Sequence, residues 1–135
     1  MKPRYMLDTN ICIYIAKHQP PEVKARFERL KPGQMVMSVI TYGELYYGAS
    51  KSNLRAKALA GLDTTVWGIP VENLTSAASE AFGKIRAALE NQERVIGNSD
   101  LWIAAHAMSL GVTLVTSDDR EFLRVPGLSV ENWKR

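Results

Sequence analysis

Cysteine is nearly absent from this sequence. A single Cys12 in 135 residues excludes an internal disulfide framework, and its place in the apolar run from Ile11 to Ile15 is that of a reduced, buried thiol. Proline and glycine are sparse, at six and nine residues, which excludes collagen-like and low-complexity chains. No apolar run approaches the about 20 residues that span a bilayer. The stretch after Lys2 and Arg4 is interrupted by Asp8 and Asn10 and lacks a small-residue cleavage pattern, so no secretory leader and a cytoplasmic protein are expected. Histidine is limited to His18 and His106, and neither has neighbours at the spacing of a zinc site. There is no internal repeat.

What is present suits one domain over residues 1–135: 46% apolar residues supply a core and 23% charged residues a solvated surface. Short β-branched or apolar runs alternate with longer segments of helical period, the pattern of an α/β fold with a mainly parallel central sheet flanked by helices. Strands are expected at Tyr5–Leu7, Met35–Val39 and Val112–Thr116, with an edge strand at Thr65–Val71. Helices are expected at Ile11–Lys17, capped by Thr9, and at Glu22–Leu30, Thr41–Ala49, Leu54–Leu62, Leu74–Asn91 and Leu101–Leu110, the last capped by Asn98 or Ser99.

Four acids fall at strand exits or helix starts. Asp8 and Asp118 follow strands, Asp100 opens a helix, and Glu44 lies one turn into a helix that itself follows a strand. Such positions converge on the carboxyl edge of an open parallel sheet, where these folds leave a ligand crevice. Taken singly, each acid is equally well a helix cap or a solvated side chain. Together, each embedded in apolar sequence, they repel one another, and a cation is the simplest way to hold them. Their hard oxygens suit Mg²⁺ or Mn²⁺. Ala104 and Ala107 follow Asp100 at helical spacing and are expected to leave room beside its carboxylate. His106 points to another side of that helix and reads as a core histidine or one that supports the site.

Setting those acids aside leaves the rest of the chain more basic than its net charge of +3, a balance suited to a metal-bound polyanion. Lys84, Arg86, Arg94 and Arg120 are the candidate phosphate contacts. Gly43 to Ser52 has the two glycines of a phosphate loop, but its lysine arrives two positions late and the stretch reads helical. The sequon at Asn73-Leu74-Thr75 reads as a turn before a helix.

The order of four segments resembles the PIN-domain ribonuclease toxins called VapC: Met6-Leu7-Asp8-Thr9-Asn10, Ser38-Val39-Ile40-Thr41-Tyr42-Gly43-Glu44, Ile96-Gly97-Asn98-Ser99-Asp100, and Leu114-Val115-Thr116-Ser117-Asp118. The resemblance runs nearly end to end. It implies a PIN-like α/β/α sandwich, a Mg²⁺- or Mn²⁺-dependent endoribonuclease, and restraint by a cognate VapB antitoxin. It also implies a homodimer, a larger assembly with VapB, and contact with operator DNA through the antitoxin alone. Asp8, Glu44, Asp100 and Asp118 become the metal-site and catalytic acids, with Thr9, Asn10, Ser38 and Thr116 in support. Asp119, adjacent to Asp118, is the alternative carboxylate. Structured RNA such as tRNA, initiator tRNA included, is the implied target. Tyr42, Tyr46, Tyr47 and Trp67 are candidates for packing a partner's helix.

Two rivals remain at this stage. A phosphatase using Asp8 as nucleophile would want a second aspartate where Asn10 stands. A catalytically idle interaction module would leave the acids without a task.

Overall fold

A computed structural model describes residues 2–135. Its elements, in chain order, are β1 (Tyr5–Leu7), α1 (Thr9–Ala16), α2 (Pro21–Glu28), β2 (Met35–Ser38), α3 (Val39–Ser50), α4 (Arg55–Gly68), β3 (Val71–Glu72), α5 (Ser76–Asn91), α6 (Asn98–Leu110), β4 (Thr113–Thr116), a 3-10 turn (Phe122–Arg124) and β5 (Val130–Asn132). The five strands form one sheet in the order β3-β2-β1-β4-β5, and every pairing is parallel.

The period-two pleat divides the core. Met6, Val36 and Leu114 face one side, where Ile85 and Leu89 of α5 and Leu101, Ile103 and Ala104 of α6 cover them. Leu7, Met35, Met37 and Val115 face the other, against Ile11 and Ile15 of α1, Val23 of α2 and Trp133. The helices therefore sandwich the sheet, and its central strands β2, β1 and β4 are buried on both faces as parallel sheets require, while the edge strands β3 and β5 are half-buried. Phe82 and Trp102 stack across α5 and α6 with ring centroids 3.9 Å apart. Ala104 and Ala107, expected to leave space beside Asp100, are instead fully buried. Their small side chains let α6 sit closely in the core.

Several boundaries differ from the sequence expectations. The edge strand expected at Thr65–Val71 shrinks to β3, because α4 runs on to Gly68. Thr64 and Thr65 tolerate the helix by returning their hydroxyls to the carbonyls of Ala60 and Gly61 at 3.2 and 3.1 Å. Asp8, not Thr9, caps α1. Gly97 caps α6 without a side-chain bond, so Asn98 and Ser99 lie inside the helix. That helix ends at Gly111, whose φ of 68° is the left-handed stop that glycine accommodates best. The strand β5 has no counterpart in the sequence expectations.

The chain runs from β1 outward through β2 to β3, then crosses over to place β4 on β1's free side. The carboxyl ends of β1 and β4 consequently flank the topological switch point, where an open sheet leaves its crevice.

Candidate active site

Asp8 emerges from β1 at that switch point. Its N–H extends the ladder to the Val115 carbonyl at 2.9 Å, and its Oδ1 accepts the Ile11 N–H at 2.9 Å to cap α1. The residue is only 6% exposed. Burial raises its carboxyl from 3.8 to about 6, against the lowering influence of the Thr116 hydroxyl and the Ile11 amide, and the charges of Glu44 and Asp118 raise it further.

Glu44 projects from α3, and the Thr9 hydroxyl in the first turn of α1 donates to its Oε1. Thr9 Oγ1 also lies 3.2 Å from that of Thr41, which is fully buried. Asp100 is half-buried in the first turn of α6. Its carboxyl is raised, first by burial, then by its hydrogen bond to Glu121 and that group's charge, then by the charges of Asp8 and Glu44. Asp118 lies just beyond β4, its N–H donating to Thr116 Oγ1 at 3.1 Å. Arg120 grips it with Nε at 3.0 Å and a terminal nitrogen at 2.7 Å, and holds its carboxyl down at about 2.

The charges of Glu44 and Asp118 thus reach Asp8, and those of Asp8 and Glu44 reach Asp100, while Asp118 itself is exposed and answers chiefly to Arg120. Asp119 belongs elsewhere: it is buried and takes the Arg135 guanidinium at 3.2 Å. Asn10 is exposed on α1, outside the network. Ser38 caps α3, accepting the Ile40 N–H at 3.1 Å, and also meets His106 Nδ1 at 2.8 Å. Burial lowers the His106 imidazole, opposed by the Asn73 backbone and Glu72.

Sequence reasoning missed Glu121 and Thr41. Glu121 sits in the irregular charged stretch after Asp118, where no periodicity sets one acid apart from its neighbours. Thr41 reads as one more helical residue until the fold sets it beside Thr9. Of the candidate phosphate contacts, Lys84 and Arg94 are exposed, Arg86 pairs with Glu90 at 3.1 Å, and Arg120 is engaged with Asp118.

Two open grooves approach Glu44. An apolar one of about 860 Å³ runs between α1, α3 and α4, past Cys12, Leu45, Ala49, Gly61 and Leu62. A smaller cleft of about 590 Å³ follows α3 from Val39 to Lys51 and reaches Ser99. Of the aromatic residues proposed for a partner, Tyr47 borders the smaller cleft, Tyr42 packs against the core, and Tyr46 and Trp67 are exposed. None of these four lines the larger groove.

The donors fit a divalent cation. They are hard oxygens, and burial together with like charge keeps protons on Asp8 and Asp100 well above the ordinary carboxylate range, the signature of a site short of positive charge. Among the described residues, no three His, Cys, Asp or Glu side chains are already close enough together to hold a metal ion.

The PIN domain family model matches residues 5–128. The tRNA(fMet)-specific endonuclease VapC of Shigella flexneri is 45% identical over 130 residues, covering 96% of this chain and 98% of that protein. Ribonuclease VapC2 of Haemophilus influenzae is 42% identical over the same shares. Among solved structures, DNA-bound VapBC from Salmonella typhimurium superposes with a TM-score of 0.91 at 38% identity, over 97% of this chain and 98% of that one. VapBC2 from Rickettsia felis, bound to a promoter DNA fragment, gives 0.87 at 35% identity, over 96% and 98%.

Proposed function

The chain belongs to the PIN domain family and, within it, to the VapC ribonucleases, and from that premise we propose that it is a divalent-metal-dependent endoribonuclease acting as the toxin of a toxin-antitoxin pair. The observation that supports the reading is that Asp8, at the end of β1, feels the charges of Glu44 and Asp118, and that Asp100 feels those of Asp8 and Glu44. An aspartyl phosphatase does not explain the other three acids, and an idle module explains none.

Asp8, Glu44, Asp100 and Asp118 would hold the cation, Mg²⁺ or Mn²⁺. When bound, it supplies Lewis-acid polarisation of a phosphodiester and lowers the pKa of water. The chain's own groups do the rest. The Ile11 amide fixes the Asp8 carboxylate, and Thr9 fixes that of Glu44. Burial and Glu121 keep a proton on Asp100 to higher pH than usual, so a cation held there would have to displace it. Exposed Lys84 and Arg94 offer phosphate contacts beside the start of α6.

The substrate we propose is tRNA, initiator tRNA foremost, supported by the 45% identity to a relative named for that specificity. A cognate VapB restrains the enzyme. Its inhibitory segment fits the apolar groove between α1, α3 and α4, which ends at Glu44 and so lets one peptide cover both surface and site. Operator DNA is reached through VapB, and the working unit is a homodimer of single-domain chains in the cytoplasm. Among the described residues no helix is long and apolar enough to cross a membrane.

The test is cleavage of an initiator tRNA transcript by purified protein with Mg²⁺ or Mn²⁺, with a chelator control. Cleavage is expected to need the metal and to stop on addition of VapB. Asp8→Asn and Asp100→Ala are each expected to lose at least about 100-fold in rate with the fold intact by circular dichroism. Metal-independent cleavage, or full activity in either variant, contradicts the proposal.

A further inference from the structure

Deep in the molecule, away from the acids, one buried polar contact joins two of the elements that carry them. His106 is fully buried on α6, and its Nδ1 lies 2.8 Å from Oγ of Ser38, itself fully buried where β2 turns into α3. Sixty-eight residues separate the pair in sequence. Ser38 Oγ also accepts the Ile40 N–H that caps α3. The hydroxyl can either donate to Nδ1 or accept from it, according to the imidazole tautomer, so the bond forms in both. The ring's Nε2 is buried without a hydrogen-bond partner among the described residues. Ser38 thus supplies the ring's one well-formed hydrogen bond in the core, with the Asn73 backbone close enough to act on the imidazole, in a place where leucine would pack without leaving a polar atom unsatisfied.

We propose that His106 is a positioning residue for the carboxylate site: its bond to Ser38 locks α6, which begins beside Asp100, to the start of α3, which carries Glu44. The geometry gives the bond this leverage. Ser38 sets the direction in which α3 leaves the sheet, and Glu44 lies six residues further on; Asp100 lies six residues before His106 on a rigid helix. Loosening the joint lets the two helix starts shift relative to each other, and a cation site tolerates little such movement. The proposal rests on these acids being the metal site.

A pair of near-isosteric variants tests it. The amide of His106→Asn occupies the Nδ1 position and keeps the Ser38 bond; that of His106→Gln occupies the Nε2 position and loses it. Mn²⁺ affinity, read by calorimetry on RNA-free protein, is expected to stay within about twofold of wild type in His106→Asn and to fall about tenfold in His106→Gln. Ser38→Ala, which breaks the same bond from the other side, is expected to reproduce the loss, and the double variant with His106→Gln to fall no further. The rate constant at saturating RNA is expected to follow Mn²⁺ affinity while KM for RNA stays put. Equal behaviour of the Asn and Gln variants, or wild-type Mn²⁺ affinity in Ser38→Ala, overturns the proposal. The premise fails separately: it falls if Asp100→Ala keeps wild-type Mn²⁺ affinity, whatever the His106 variants do.

Discussion

Asp8 serves two roles that pull its proton in opposite directions. As the cap of α1 it is favoured as a carboxylate, while its burial favours the acid, and burial prevails, with the carboxyl at about 6 in the fold against 3.8 for the free side chain. Between about pH 4 and 6 the folded state therefore binds more protons than the unfolded one, and this group's contribution to stability falls as pH rises through that window. Two pKa units correspond to about 3 kcal/mol. In chelator-treated protein, urea unfolding is expected to find Asp8→Asn gaining about 2–3 kcal/mol on wild type between pH 4.5 and pH 7.5. An unchanged difference contradicts the burial argument. Metal binding carries the opposite sign, since the ligands must lose their protons, so the melting-temperature gain from Mn²⁺ is expected to be large at pH 8 and small at pH 5. Beside Asp8, burial first and the Asp8 charge second raise the Cys12 thiol, and it is expected to resist alkylation until the protein unfolds, as mass spectrometry with and without denaturant will show. At this scale the four acids stand out in the sequence because Asp8, Asp100 and Asp118 lie at element boundaries and Glu44 one turn into a helix that follows a strand. Glu121 does not, because its partner Asp100 is remote in sequence and it is one of three acids within four residues.

The elements follow their local chemistry where a single residue dominates. Pro21 opens α2, Thr75 caps α5 by accepting the Ala78 N–H, and Gly111 closes α6, each within two residues of the helix end expected from the sequence. The expectations failed where tertiary context decided the outcome. The β-branched run Thr64-Thr65-Val66 suggested a strand, yet its hydroxyls bond back within α4. The strand β5 carries one apolar residue, Val130, and exists because β4 offers it a free edge. Its anchor is Trp133, just beyond it, 2% exposed and edge-on to Tyr5 at 5.9 Å between ring centroids. Trp133→Ala is expected to lower stability by about 3–5 kcal/mol in urea unfolding. A loss under 1 kcal/mol contradicts the view that this tryptophan ties the last strand to the first.

For the whole molecule, the alternation of strand and helix predicted the parallel sheet, and the parallel sheet pointed to its carboxyl edge, where β1 delivers Asp8. Strand order and grooves were beyond reach, because they depend on which face each helix covers. The groove between α1, α3 and α4 separates inhibition from catalysis in a testable way. Gly61 lies on its wall, and nothing stands within 4 Å of an added Cβ. Gly61→Arg is therefore expected to fold and cleave RNA while escaping VapB by at least about tenfold in inhibitory concentration; full inhibition of this variant contradicts the assignment of the groove. The central claim, that carboxylates far apart in sequence gather around a divalent ion, is tested most directly by anomalous diffraction from a crystal soaked in Mn²⁺. The account predicts a peak among Asp8, Glu44, Asp100 and Asp118 that is missing from Asp100→Ala crystals. No peak there, or one that persists in the variant, contradicts it.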